Sequence, residues 1–182
     1  IGIINLFPNF VTLIVETNPL TYMRDLTITA IIKVYQYDEL NEADRALVTT
    51  AKEATARSYV PYSHFSVGAA ALLGDGTVVS GTNQENAAYP SGLCAERVTL
   101  FFANANYPDI PVKMLALAAQ TGGSYTDGQV APCGACRQVI LETENRFNQP
   151  IRILMYGKDN IYIVDSIKAL LPLHFDKSSM ER

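Results

Sequence analysis

Apolar positions recur along this chain in two rhythms, short runs of β type and stretches at near-helical spacing. Residues 26–37 (LTITAIIKVYQY) are rich in β-branched and aromatic side chains and partly alternate, which predicts a strand. Asn41, with Asp44 three residues on, marks a helix N-cap, and Ala43, Leu47, Ala51 and Ala54 follow it at helical spacing. That helix is expected to end near Ser58, because Val60-Pro61 biases the backbone to extended geometry. Residues 65–73 (FSVGAAALL) and 77–82 predict two strands joined by the hairpin signal Gly74-Asp75-Gly76. A helix is predicted over 92–106, stopped by Tyr107-Pro108, then a buried strand over 112–119 and a loop over 122–130. A second helix is predicted over 133–145, a strand pair over 151–156 and 161–164, and a short helix ending at Leu171-Pro172. Strands interleaved with helices of this length predict an α/β fold, a three-layer α/β/α domain with a mixed sheet.

A chain of 182 residues buries one sizeable core and is short for two, so one domain with an N-terminal addition is expected. Residues 1–15 are apolar, but the run is too short to cross a bilayer and is interrupted by Asn5, Pro8 and Asn9. No basic residue precedes Arg24, which argues against a targeting signal. The chain starts with Ile, and Met23 opens the strand-like pattern. Residues 1–22 are therefore expected to be dispensable, and residues 23–182 to form the domain itself.

The balance of 14 basic against 18 acidic residues, with no run of Lys or Arg, argues against a nucleic-acid surface, which needs a basic stripe to displace counterions. An uncharged nucleoside remains compatible with it. Three cysteines cannot all pair internally, and two of them stand as Cys133-x-x-Cys136, so metal binding in a reducing cytoplasm is favoured over a disulfide framework.

Two segments carry the chemistry, Cys94-Ala95-Glu96-Arg97 and Pro132-Cys133-Gly134-Ala135-Cys136-Arg137, each predicted to open a helix. First-turn side chains lean toward the helix N-terminus, where unpaired amides and the positive end of the dipole favour thiolates. Three thiolates without an evident fourth ligand match a catalytic zinc with one open position. The competing reading is a closed structural site completed by His64 or His174. Glu96 reads either as a carboxylate placed for the helix dipole or as a proton shuttle beside the metal. Cys-x-Glu together with Pro-Cys-x-x-Cys is the Cys₃ form of the zinc-deaminase signature and favours the shuttle. Arg97, three residues after Cys94, lies on its face of the helix and can donate to thiolate sulfur.

Through VPYSHFSVGAAAL, TNQENAAYPSGLCAER, APCGACRQV and ALLPLHF, the chain resembles the small homotetrameric cytidine deaminases, over about two thirds of its length. The resemblance implies one zinc per subunit on Cys94, Cys133 and Cys136, with Glu96 as general acid/base. It implies that Asn83 and Glu85 bind the ribose and that Ala87 and Tyr89 line the substrate. Phe65 would pack on the pyrimidine, and Phe175 would enter a neighbouring subunit's site, although Leu173-His174 depart from the small residues common there. Gln84 departs too, at a position expected not to touch substrate.

The function implied is hydrolytic deamination of cytidine or deoxycytidine to uridine or deoxyuridine and ammonia, a step of pyrimidine salvage, with neither nucleic acid nor membrane as partner. Rival readings are a deaminase of blasticidin S or another nucleoside analogue, a polynucleotide editor, and a zinc-stabilised interaction domain without catalysis.

Overall fold

The computed structural model describes residues 25–181, so the expected boundary between residues 22 and 23 lies outside the described residues. Strands Lys33–Tyr35 (β1), Phe65–Leu73 (β2), Val78–Thr82 (β3), Val112–Thr121 (β4), Ser124–Tyr125 (β5), Arg152–Tyr156 (β6) and Ile161–Val164 (β7) alternate with helices Glu42–Ala54 (α1), Ala95–Asn106 (α2) and Gly134–Phe147 (α3). The sheet runs β1-β7-β6-β4-β2-β3, with β5 paired to β4. The β4–β6 pair is parallel and the others are antiparallel. The expected α/β class and mixed sheet are thus both present.

Alternation along the strands builds the three layers. Ala69, Ala71, Leu115, Leu117, Ile153 and Met155 pack on one face against Leu100, Ile140 and Leu141 of α2 and α3. The residues between them, Ala70, Ala116, Ala118 and Leu154, face Leu47, Val48 and Ala51 of α1. Two glycines permit the close approach of helix to sheet. A Cβ on Gly68 would lie 2.1 Å from the Ala51 carbonyl oxygen, and one on Gly81 would lie 2.6 Å from Thr99 Oγ1. On the α1 side, the Lys52 ammonium sits 5.2, 4.8 and 4.4 Å from the ring centres of Tyr37, Tyr125 and Tyr156. Buried Asp44 pairs with Arg152 and ties the first turn of α1 to β6.

Strands β3 and β4 each run antiparallel to β2, so they point the same way, and α2 follows one while α3 follows the other. Both helices cover the same face and start at the same end of the sheet. This topology brings two distant sequence motifs together, at the carboxyl ends of the strands where open α/β sheets place their ligands.

Several expected boundaries move. The strand expected over 26–37 shrinks to β1, because pairing with β7 spans only Lys33 to Tyr35. Before it, Leu26 and Ile31 are exposed, so their apolar character reports no core strand. Helix α2 begins at Ala95 rather than residue 92, since Gly92 closes a 3₁₀ turn, Tyr89–Ser91, and Leu93 pairs with Gln84. The loop over 122–130 contains β5, and the short element before Pro172 is a 3₁₀ turn, Ile167–Ala169. Asn41 caps α1 by accepting from the Asp44 amide, and β2 has the bounds expected of it.

Candidate metal and nucleoside site

Cys94 is the N-cap residue of α2 and Cys133 the N-cap residue of α3, both in extended backbone geometry. Neither side chain caps its own helix, so both sulfurs are free to turn toward each other. Cys136 occupies the third position of α3, and Arg97 the same position of α2. Sulfur separations are 3.8 Å for Cys94–Cys133 and 3.5 Å for Cys133–Cys136, and all three sulfurs fall within 4.8 Å of one another. Tetrahedral zinc with Zn–S bonds of about 2.3 Å separates its thiolates by about 3.8 Å, so this donor set fits zinc in both chemistry and spacing. Neither His64 nor His174 joins the cluster.

The charges around the sulfurs are correlated. The Cys94 thiol is brought down to about 5, chiefly by a hydrogen bond from Cys136, with further help from Arg97 and Cys133. Cys136 is pushed far above the thiol range, because the anion it bonds to is Cys94 and because it is buried. Without a cation, Cys136 thus keeps its proton beside the Cys94 thiolate. A bound metal replaces that proton, since zinc takes thiolates. Arg97 Nη2 donates to Cys94 Sγ at 3.8 Å, and its buried Nε has no partner among the described residues. Glu96, only 5% exposed, has its carboxyl held above the ordinary range by burial and, less strongly, by the Cys94 charge.

Beside the sulfurs opens a cavity of about 530 Å³ lined by Tyr62, Asn83, Glu85, Tyr89, Cys94 and Arg97 among others. Asn83 spends half its amide on the chain, donating to the Phe65 carbonyl and accepting from the Val67 amide, both at 2.8 Å. One donor and one acceptor site remain to it. Glu85 accepts from the Tyr62 amide at 2.9 Å and the Ser63 amide at 3.3 Å. A hydrogen bond from the Ser63 side chain, followed by the Tyr62 amide, holds its carboxyl below the usual range, so it is anionic in the cavity.

Asn83, Glu85, Tyr89, Cys94 and Arg97 are therefore gathered at one cavity. Phe65, Ala87 and Phe175 do not line it; Phe65 begins β2, Ala87 is exposed in the following turn, and Phe175 is 60% exposed. Gln84, expected to stay clear of substrate, does line the cavity. The reason is that residues 83–85 are not a regular strand end. Gln84 bridges Tyr59 on one side and Leu93 on the other, which removes simple alternation. Tyr62 and Ser63, which fix Glu85, carry no signal in the sequence beyond their place in VPYSHF.

The family model described as the cytidine and deoxycytidylate deaminase zinc-binding region matches residues 41–147. A cytidine deaminase of Sporosarcina psychrophila is 49% identical over 96 residues, covering 53% of this chain and 66% of the relative. One of Mycobacterium tuberculosis is 43% identical over 105 residues, covering 56% of this chain and 74% of the relative. The crystal structure of cytidine deaminase from Burkholderia pseudomallei superposes with a TM-score of 0.63 at 36% identity, covering 75% of this chain and all of that one.

Proposed function

Because the chain belongs to the cytidine and deoxycytidylate deaminase zinc-binding family, we propose that it deaminates cytidine and deoxycytidine hydrolytically. The observation that carries the reading is the meeting of three sulfurs and a buried carboxyl at paired helix starts, with one of those sulfurs, Cys94, lining the cavity that also holds Asn83 and Glu85.

Cys94, Cys133 and Cys136 are the proposed zinc ligands. Zinc bound there supplies an electrophile that makes a water acidic enough to attack near neutral pH. Glu96 takes a proton from the attacking water and hands it to N3 of the ring as oxygen bonds to C4. It then moves a second proton to the exocyclic nitrogen, the C4–N bond breaks, and ammonia leaves with the uridine product formed. Arg97 offsets part of the negative charge of the sulfurs. Asn83 and Glu85 take the ribose hydroxyls and Tyr89 completes the wall, while Ala87 stands exposed in the turn before it. Phe65 packs on the pyrimidine once substrate is in place. Phe175, exposed and clear of its own cavity, is read as reaching the site of an adjoining copy in a homotetramer. The exposed faces of Phe101 and Phe102 on α2 and of Leu173 support such assembly. None of the described helices is long and apolar enough to cross a membrane, and three free thiols suit a reducing cytoplasm.

An ultraviolet assay of the zinc protein on cytidine, cytosine, blasticidin S and a cytosine-bearing oligonucleotide tests the class. Turnover of cytidine alone is expected; turnover of any other in its place would overturn the assignment.

Glu85→Gln removes a charged acceptor while leaving an oxygen for the Tyr62 and Ser63 amides. A lost charged hydrogen bond costs about 1.5–3 kcal/mol, roughly 10- to 150-fold in kcat/KM on cytidine. An unchanged kcat/KM would remove Glu85 from ribose recognition.

A further inference from the structure

Two adjacent side chains at the start of α3 hold both ends of the loop that presents Leu173 and Phe175. Arg137 directly follows Cys136. Its Nε donates to the Pro132 carbonyl at 2.8 Å and its Nη1 to the Leu170 carbonyl at 2.6 Å. Gln138 Nε2 donates to the Phe175 carbonyl at 2.8 Å. Inside the loop, His174 Nδ1 lies 3.1 Å from the Leu171 carbonyl oxygen and Nε2 lies 3.4 Å from Asp176, so the imidazole closes the turn. Both anchors from α3 reach backbone carbonyls. They fix the path of the loop and leave the Leu173 and Phe175 side chains 75% and 60% exposed.

We propose that Arg137 and Gln138 are positioning residues that fasten residues 170–175 to the metal-bearing helix, and that Gln138 thereby sets Phe175 for the pocket of an adjoining copy. The inference rests on the reading of Phe175 given above. The physical case is one of entropy and geometry. Six residues ending in an exposed aromatic would otherwise sample many backbone states, and fixing each of them costs conformational entropy. An Arg fork is planar and already organised, so one guanidinium can hold two carbonyls at once. Of these, Pro132 immediately precedes Cys133, while Leu170 opens the loop. The same side chain therefore registers the loop against the approach to a metal ligand. Neither residue lines the cavity of its own chain, so loss of the tie should reach substrate binding only through Phe175.

The test uses the zinc-loaded full chain. Gln138→Leu retains bulk and removes the donor; the loss of one hydrogen bond is expected to raise KM for cytidine about fivefold, with kcat, zinc content and oligomer mass unchanged. Arg137→Lys, which cannot span both carbonyls, is expected to raise KM in the same direction with zinc retained. Loss of zinc without a KM effect would reduce Arg137 to a support for Cys133. Phe175→Ala serves as the control for the underlying reading. If it leaves KM unchanged, the role of Phe175 fails; if it raises KM while Gln138→Leu does not, the positioning role fails. Mixed oligomers of Gln138→Leu with Glu96→Gln subunits decide whether the effect passes between copies. Sites of the Gln138 variant that receive Phe175 from a Glu96→Gln neighbour should regain the lower KM, giving a two-phase saturation curve. A single phase at the raised KM would place the effect within one chain and overturn the proposal.

Discussion

Glu96→Gln is expected to lower kcat on cytidine by about 10²–10⁴-fold, the usual contribution of a positioned general acid/base, while the protein keeps its fold and its zinc. The amide is nearly isosteric with the carboxyl, and Glu96 is not one of the clustered donors, so neither packing nor metal uptake depends on its charge. What the amide cannot do is accept a proton from water and give it up again. The side chain is 5% exposed, so bulk solvent has little access with which to replace the lost relay. The measurement is kcat with zinc content and melting temperature determined on the same sample. Activity above about a tenth of wild type would put the proton transfer elsewhere.

Glu144→Leu is expected to destabilise the domain by about 3–5 kcal/mol without touching the cavity. Glu144 is buried near the end of α3. Its Oε1 accepts from the amides of Ile151 and Ile167, each at 2.9 Å, and its Oε2 accepts from Ser166 Oγ at 2.8 Å. One carboxylate thus fastens α3 to the entry of β6 and to the 3₁₀ turn that leads into residues 170–175. Leucine leaves two buried amides without acceptors, at about 1–3 kcal/mol each. Glu144→Gln separates hydrogen bonding from charge, because its amide oxygen still accepts from both backbone groups and its nitrogen can donate to Ser166 Oγ. It should cost only about 1 kcal/mol. Urea midpoints at constant slope provide the comparison. A Leu variant as stable as the Gln variant would mean that the two amides find other partners.

Much of this arrangement can be read in the sequence where a residue type has a single local use. Asn41 with Asp44, Gly74-Asp75-Gly76 and the two Cys segments each mark a start or a turn by their own chemistry, and the structure places them there. Boundaries fail where pairing partners decide. Leu26 and Ile31 look like strand residues, yet β7 offers β1 only three partners. The antiparallel pairing of β3 and β4 on either side of β2, and hence the common direction of the two helix starts, leaves no local mark. Residues that act on backbone carbonyls are equally silent. Arg137 and Gln138 bind Leu170 and Phe175 through main-chain oxygen, so nothing in the partners' side chains announces the contact. Tyr62 and Ser63 escape for the mirrored reason, since they hold Glu85 with their amides.

The common direction of β3 and β4 also bears on how folding and metal uptake are coupled. Cys133 and Cys136 share one helical turn, but Cys94 joins them only after β2 has paired with β3 on one side and β4 on the other. A locally ordered fragment can therefore offer two sulfurs at most, whereas the finished sheet offers three. An ion that prefers three thiolates to two binds the native state more tightly than any partly folded one. By mass action its differential affinity is added to the stability of the whole central sheet, rather than to a single turn of helix.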